Sequence, residues 1–148
     1  MTSIDFYFNA QDRLQVACRL AGKAVKQGSR MLIYAPDAGM ASRLDALMWT
    51  WPAIGFVPHV KAQSPLAAET PVLIASGEET PAQCELLLNL GSECPPHFER
   101  FARLFELVDT TEENRQAGRN RYRFYQERGY KISNHDLAQG NELSLIHI

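Results

Sequence analysis

No stretch of this chain is apolar for long enough to cross a bilayer. The longest run, around Leu86–Leu88, falls far short of the ~20 residues that a spanning helix needs. The opening residues lack a basic leader with an apolar core, so no secretory signal is expected. Cysteine is scarce: Cys18, Cys84 and Cys94 make an odd count, with no CxxC and no paired histidine at ligand spacing. That argues against zinc and predicts reduced thiols in the cytoplasm, with Cys18 buried on an apolar helical stripe.

Glycine is missing where phosphate chemistry would require it. A phosphate cradle uses glycines so that backbone N–H groups can approach the anion. The loop after the first expected strand, Phe8-Asn9-Ala10-Gln11-Asp12, contains none, and Pro36-Asp37-Ala38-Gly39 after the second holds one. No GxxxxGK[ST] occurs, so neither a nucleotide nor any other cofactor is expected. A catalytic constellation is missing as well. His59 and His97 follow prolines and read as surface or packing residues, Ser42 and Ser76 lie in no nucleophile elbow, and Glu78-Glu79 and Glu112-Glu113 are adjacent pairs that point apart.

What is present describes one folded domain. The 148 residues are 45% hydrophobic and 22% charged, enough apolar side chain for a core without staples. Ile4–Phe8 reads as a strand, Arg13–Gln27 as a helix capped by Asp12 and stopped by Gly28, and Met31–Ala35 as a buried strand. A second helix is expected over about Gly39–Trp49, with Met40, Leu44 and Leu47 inward. After a proline- and alanine-rich connection with at most a short strand near Phe56–Val60, strands follow at Pro71–Ala75, Cys84–Leu90 and Phe105–Val108. A short helix over Pro96–Arg103 precedes the last of these. The order strand–helix–strand–helix predicts a three-layer α/β domain over residues 1–142, with a twisted, mixed but mostly parallel sheet. The final six residues, Leu143–Ile148 (LSLIHI), resemble a translated sequencing adapter and are expected to be foreign to the domain.

The net charge of −2 conceals an asymmetry. Arg115–Lys131 holds six Lys/Arg against Glu127 alone, or +5, leaving about −7 for the rest. This segment reads as a last helix with a Thr110/Glu113 capping box and Gly129 as its stop. At about 100° per residue, Arg115, Arg119, Tyr122 and Arg123 share one face, with Phe124 opposite as the expected core anchor. Such a stripe is either a solvated surface or a site for an acidic partner, and arginine suits bidentate capture of carboxylate or phosphate. Upstream, Trp49, Trp51 and Phe56 either fill core or serve as interface anchors.

Three segments together carry a family resemblance: IDFYF at the start, Ser42–Trp49 (SRLDALMW) running on to Phe56-Val57-Pro58-His59, and Arg119–Tyr125 (RNRYRFY). They resemble the chi subunit of bacterial DNA polymerase III holoenzyme over about residues 2–137. The resemblance implies an α/β domain of nucleotide-binding-like topology without a phosphate loop and with no activity of its own. It implies two partners, the psi subunit of the clamp loader and the acidic C-terminal tail of single-stranded DNA-binding protein, with DNA engaged only indirectly. It assigns tail binding to Trp49, Arg115, Arg119, Tyr122 and Arg123, with Arg115 and Arg123 standing where the family carries lysine. Trp49 and Tyr122 would together pocket the tail's last apolar side chain, and Phe56 would contact psi. The competing expectations are a direct nucleic-acid binder using the same stripe and a small enzyme using His59 or His97.

Overall fold

The computed structural model describes residues 1–50, 58–62, 64–77 and 84–138. Among these residues seven strands form one sheet: β1 (Ser3–Ala10), β2 (Met31–Tyr34), β3 (His59–Lys61), β4 (Val72–Ala75), β5 (Leu86–Asn89), β6 (Arg103–Asp109) and β7 (Ile132–Asp136). Their spatial order is β3-β4-β2-β5-β6-β1-β7, and every pairing is parallel. The expected α/β architecture is therefore present, with no antiparallel member among the described strands.

Among the described residues three α-helices cover the sheet: α1 (Arg13–Lys26), α2 (Ala38–Thr50) and α3 (Glu112–Glu127). Asp12 caps α1 as its sequence position predicts, accepting from the Leu14 and Gln15 amides. Asp37 does the same for α2 through the amides of Gly39 and Met40. One face of the sheet packs Tyr7, Ile33, Leu88 and Leu107 against Ala17, Leu20 and Ala24 of α1 and Leu44 and Met48 of α2. The other face packs Ile4, Phe6, Leu87 and Leu104 against Phe98 and Phe101, which precede β6, and against Tyr125 of α3. Continuous apolar strands such as Met31–Ile33 and Leu86–Leu88 are what a parallel sheet covered on both sides demands. Each such side chain, fully buried, contributes about 1.5–3 kcal/mol.

Several expectations need correction. The strand at Phe105–Val108 is not the last, because β7 follows α3 and pairs with β1. The helix expected over Pro96–Arg103 is a single 3-10 turn, Phe98–Arg100, before β6 begins. The cap of α3 is Thr111, whose hydroxyl accepts from the Asn114 amide, and not Thr110. Thr110 is displaced from that role because Asp109 turns the chain first, accepting from both the amide and the hydroxyl of Thr111. The core anchor of α3 is the fully buried Tyr125; Phe124 is half-buried and lies under the Arg128 guanidinium at 4.2 Å. The suspected foreign tail, Leu143–Ile148, lies outside the described residues.

Candidate functional site

The inner face of α3 fixes what its outer face can present. Glu106 projects from β6 and is completely buried. Its carboxylate accepts from Arg121 Nε at 2.9 Å, from the Tyr125 hydroxyl at 2.6 Å and from Asn89 Nδ2 at 3.0 Å. Arg121 also donates to the Ser92 carbonyl at 2.8 Å, tying α3 to the loop after β5. Burial pushes the Glu106 carboxyl up, against the opposing pull of Arg121 and the three donors. One of the six cations counted from sequence is therefore an internal tether, and the exposed excess of α3 is smaller than the sequence total. The signal was a lone acid inside the apolar strand sequence Leu104–Val108 (LFELV).

Gly118 sets the height of α3 above the sheet. A Cβ there would stand 2.8 Å from Val108 Cγ2, so the helix backbone rests on β6. Beyond this contact, the first half of α3, the ends of β1 and β6 and the end of β7 border an open surface hollow of about 340 Å³. Its lining is Phe8, Asn9, Val108, Arg115, Arg119 and Asp136. Phe8 and Val108 supply apolar surface, while two guanidiniums stand among the polar groups.

Arg115 is exposed and donates from Nη2 to the Asn9 side-chain carbonyl at 3.0 Å. Arg119 is exposed and shares Nη2 between Glu112 (3.1 Å) and Gln116 (2.9 Å). Such an exposed pair is worth little and yields readily to a competing carboxylate. Tyr122 is half-buried, its ring 5.1 Å from that of Phe6, with its hydroxyl accepting from Asn134 of β7 at 3.3 Å. Arg123 is exposed one step further along the helix. These four stand on one side of α3, as the periodicity predicts.

Trp49 does not join them. It is 56% exposed at the end of α2, in the layer on the other side of the sheet, with its ring 4.9 Å from that of His59. A pocket made jointly by Trp49 and Tyr122 is therefore not formed, because the sheet lies between their helices. Phe56, like Trp51, lies outside the described residues. His59 is a buried packing residue, its Nε2 3.0 Å from Asp45 Oδ1. A second hollow of about 250 Å³ lies between α2 and β3–β4, lined in part by Ser42, Asp45, Lys61 and Ser76. Among the described residues no three His, Cys, Asp or Glu side chains stand close enough together to hold a metal ion. No helix among them is long and apolar enough to cross a membrane.

Sequence reasoning missed Asn9 and Asp136. Asn9 adopts a left-handed backbone (φ 61°) at an irregularity in the β1–β6 register, and its Nδ2 donates to Asp136 Oδ1 at 2.8 Å. That bond and the Ala138 amide hold the Asp136 carboxyl below the usual carboxylate range. Asn9 is a residue type that tolerates positive φ, but nothing local announces that it meets β7.

The fold resembles solved structures of very different sequence. The S. cerevisiae Dbp5 C-terminal domain bound to Gle1 and IP6 superposes with a TM-score of 0.63 at 8% identity, covering 97% of this chain and 96% of that one. That likeness concerns the fold alone. Sequence relatives are more specific. A chi subunit of DNA polymerase III from Pseudomonas aeruginosa is 40% identical over 94% of this chain and 99% of its own length. The Escherichia coli chi subunit is 28% identical over 80% of this chain and 82% of its own. The family model for the DNA polymerase III chi subunit, HolC, matches residues 1–133. With that match spanning both sheet faces and all of α3, the chain belongs to the DNA polymerase III chi subunit family, a non-catalytic accessory subunit of the replicative polymerase.

Proposed function

We propose that this chain tethers the polymerase assembly to protein-coated single-stranded DNA by capturing the acidic C-terminal tail of single-stranded DNA-binding protein on the outer face of α3. One observation carries this reading: the hollow of about 340 Å³ combines apolar surface from Phe8 and Val108 with the guanidiniums of Arg115 and Arg119. A peptide ending in an apolar side chain and a free carboxylate needs that combination. The side chain covers Phe8 and Val108 while a guanidinium forks onto the carboxylate. Tyr122 and Arg123 continue the surface along α3 for the aspartates upstream. The contact is salt-dependent, and the many tails on one coated strand raise their local concentration. The tether's other end is the psi subunit, reached through Phe56, and the complex works in the cytoplasm.

A synthetic peptide with several aspartates, a terminal apolar residue and a free carboxylate tests the tail site by titration calorimetry. Binding is expected to weaken as salt rises, and to be lost on amidation of the terminus or in Arg119→Ala. Trp49→Ala, on the opposite layer, is expected to bind this short peptide unchanged. Equal affinity for the free-acid and amidated peptides would sink the tail reading. Tight binding of bare single-stranded DNA at physiological salt would favour a direct nucleic-acid role instead, which a mildly acidic body opposes. Phe56→Ala tests the other end, by loss of co-purification with psi and retention of peptide binding.

A further inference from the structure

The α3 hollow that would receive a foreign carboxylate already holds a resident one. The resident one is Asp136, which lines the same hollow as Arg115 and Arg119. An aspartate beside two guanidiniums is a poor feature for a site that must attract acid, since a direct pair would neutralise the cation the ligand needs. The Asn9 amide stands between them, donating through Nδ2 to Asp136 (2.8 Å) and accepting through Oδ1 from Arg115 (3.0 Å).

A side-chain amide can donate to an anion through its N–H and accept from a cation through its carbonyl while remaining neutral. Its placement here depends on an unusual backbone. Asn9 sits at φ 61°, where the register between β1 and β6 slips after Tyr7 and resumes at Ala10. A non-glycine residue in the left-handed region is uncommon, and asparagine is among the few that adopt it readily. The slip takes Asn9 out of the regular alternation of β1 and turns its side chain to the hollow, between α3 and β7.

We propose that Asn9 is a positioning residue for peptide capture: it holds Asp136 away from Arg115 and so keeps the guanidinium available to an incoming carboxylate. This rests on the tail-binding reading of α3 and adds a residue outside the helix to it. Asp136 then acts on specificity as well, repelling acid from the β7 side of the hollow and leaving the terminal carboxylate to the α3 side.

The test uses the full chain and the same free-acid aspartate peptide in calorimetry, with melting temperature measured in parallel. Asn9→Gly suits the backbone, since glycine accepts positive φ without strain, so the melting temperature is expected to hold. Its affinity is expected to fall about tenfold, the effect of losing one charge-assisted contact to Asp136. Asp136→Asn is expected to bind at least as well as the parent chain. The double variant Asn9→Gly/Asp136→Asn is expected to recover that affinity, because no resident anion remains to claim Arg115. Wild-type affinity in Asn9→Gly, or a double variant as weak as Asn9→Gly alone, overturns the proposal while Arg119→Ala still abolishes binding. Should Arg119→Ala bind as tightly as the parent chain, the α3 reading itself falls and the role of Asn9 with it.

Discussion

Gly118 and Val108 are in contact so close that no side chain fits between them: a Cβ on Gly118 would lie 2.8 Å from Val108 Cγ2. In an isolated helix Gly118→Ala would gain about 1 kcal/mol. Here the added methyl must lift α3 or displace Val108, an overpacking that costs about 1–3 kcal/mol. The expected outcome is a net loss in urea unfolding, relieved when Val108→Ala is added. A Gly118→Ala chain more stable than the parent would contradict this geometry.

The buried Glu106–Arg121 pair makes a second prediction. Removing one partner strands the other charge in the core, so Arg121→Met alone should cost about 3–5 kcal/mol. Changing both, as Glu106→Leu with Arg121→Met, should cost less than Arg121→Met by itself, although Tyr125 and Asn89 then lose their acceptor. A double-mutant cycle in denaturant measures the coupling, and additive effects would mean the pair does not act as one unit.

Acid should loosen the start of α3 through Asp109. Burial opposes ionisation of this carboxyl, but hydrogen bonds from the Thr111 hydroxyl and amide and from Asn114, with Arg13 nearby, outweigh it and hold it below the usual range. A carboxyl depressed on folding contributes stability above its unfolded pKa, about 3.9. That contribution is lost as pH falls through the lower folded value. Asp109→Asn should therefore be less stable than the parent at neutral pH, with the gap closing below about pH 4. Urea midpoints between pH 2.5 and 7 read this directly, and a gap that stays constant would exclude Asp109 as its source.

Thiol chemistry offers a check on the core. Burial pushes the Cys84 thiol up to about 11 and Cys18 up to about 12, so neither supplies thiolate at neutral pH. Both should resist a thiol reagent in the native protein and react once it is denatured. Prompt labelling of Cys18 under native conditions would show that α1 does not pack as described.

The sheet was largely readable because its inner strands are short apolar runs with obvious stops, and Asp12 capped its helix where expected. β7 was not, since this edge strand, Ile132-Ser133-Asn134-His135-Asp136, has no fully buried position, Ile132 and His135 being half-buried, and so carries little apolar signal. The face of α3 was partly readable. Arg115, Arg119, Tyr122 and Arg123 do share a side, yet Arg121, by sequence one more cation of the helix, is buried against Glu106 beneath it. A helical wheel cannot show which charge has a partner in the next layer. The same holds for the hollow: its α3 wall is periodic and visible, whereas its β1 and β7 walls exist only through long-range pairing.

Asn9 and Asp136 are 127 residues apart in sequence, and Asn9 and Arg115 are 106 apart. During synthesis, then, β1 emerges early and must wait for β6, α3 and β7 before its neighbours exist. A ribosome stalled before position 132 would release a chain with the arginine helix but without β7 or Asp136 beside it. The hollow is thereby a product of long-range pairing, assembled only when β1 has met β6, α3 and β7.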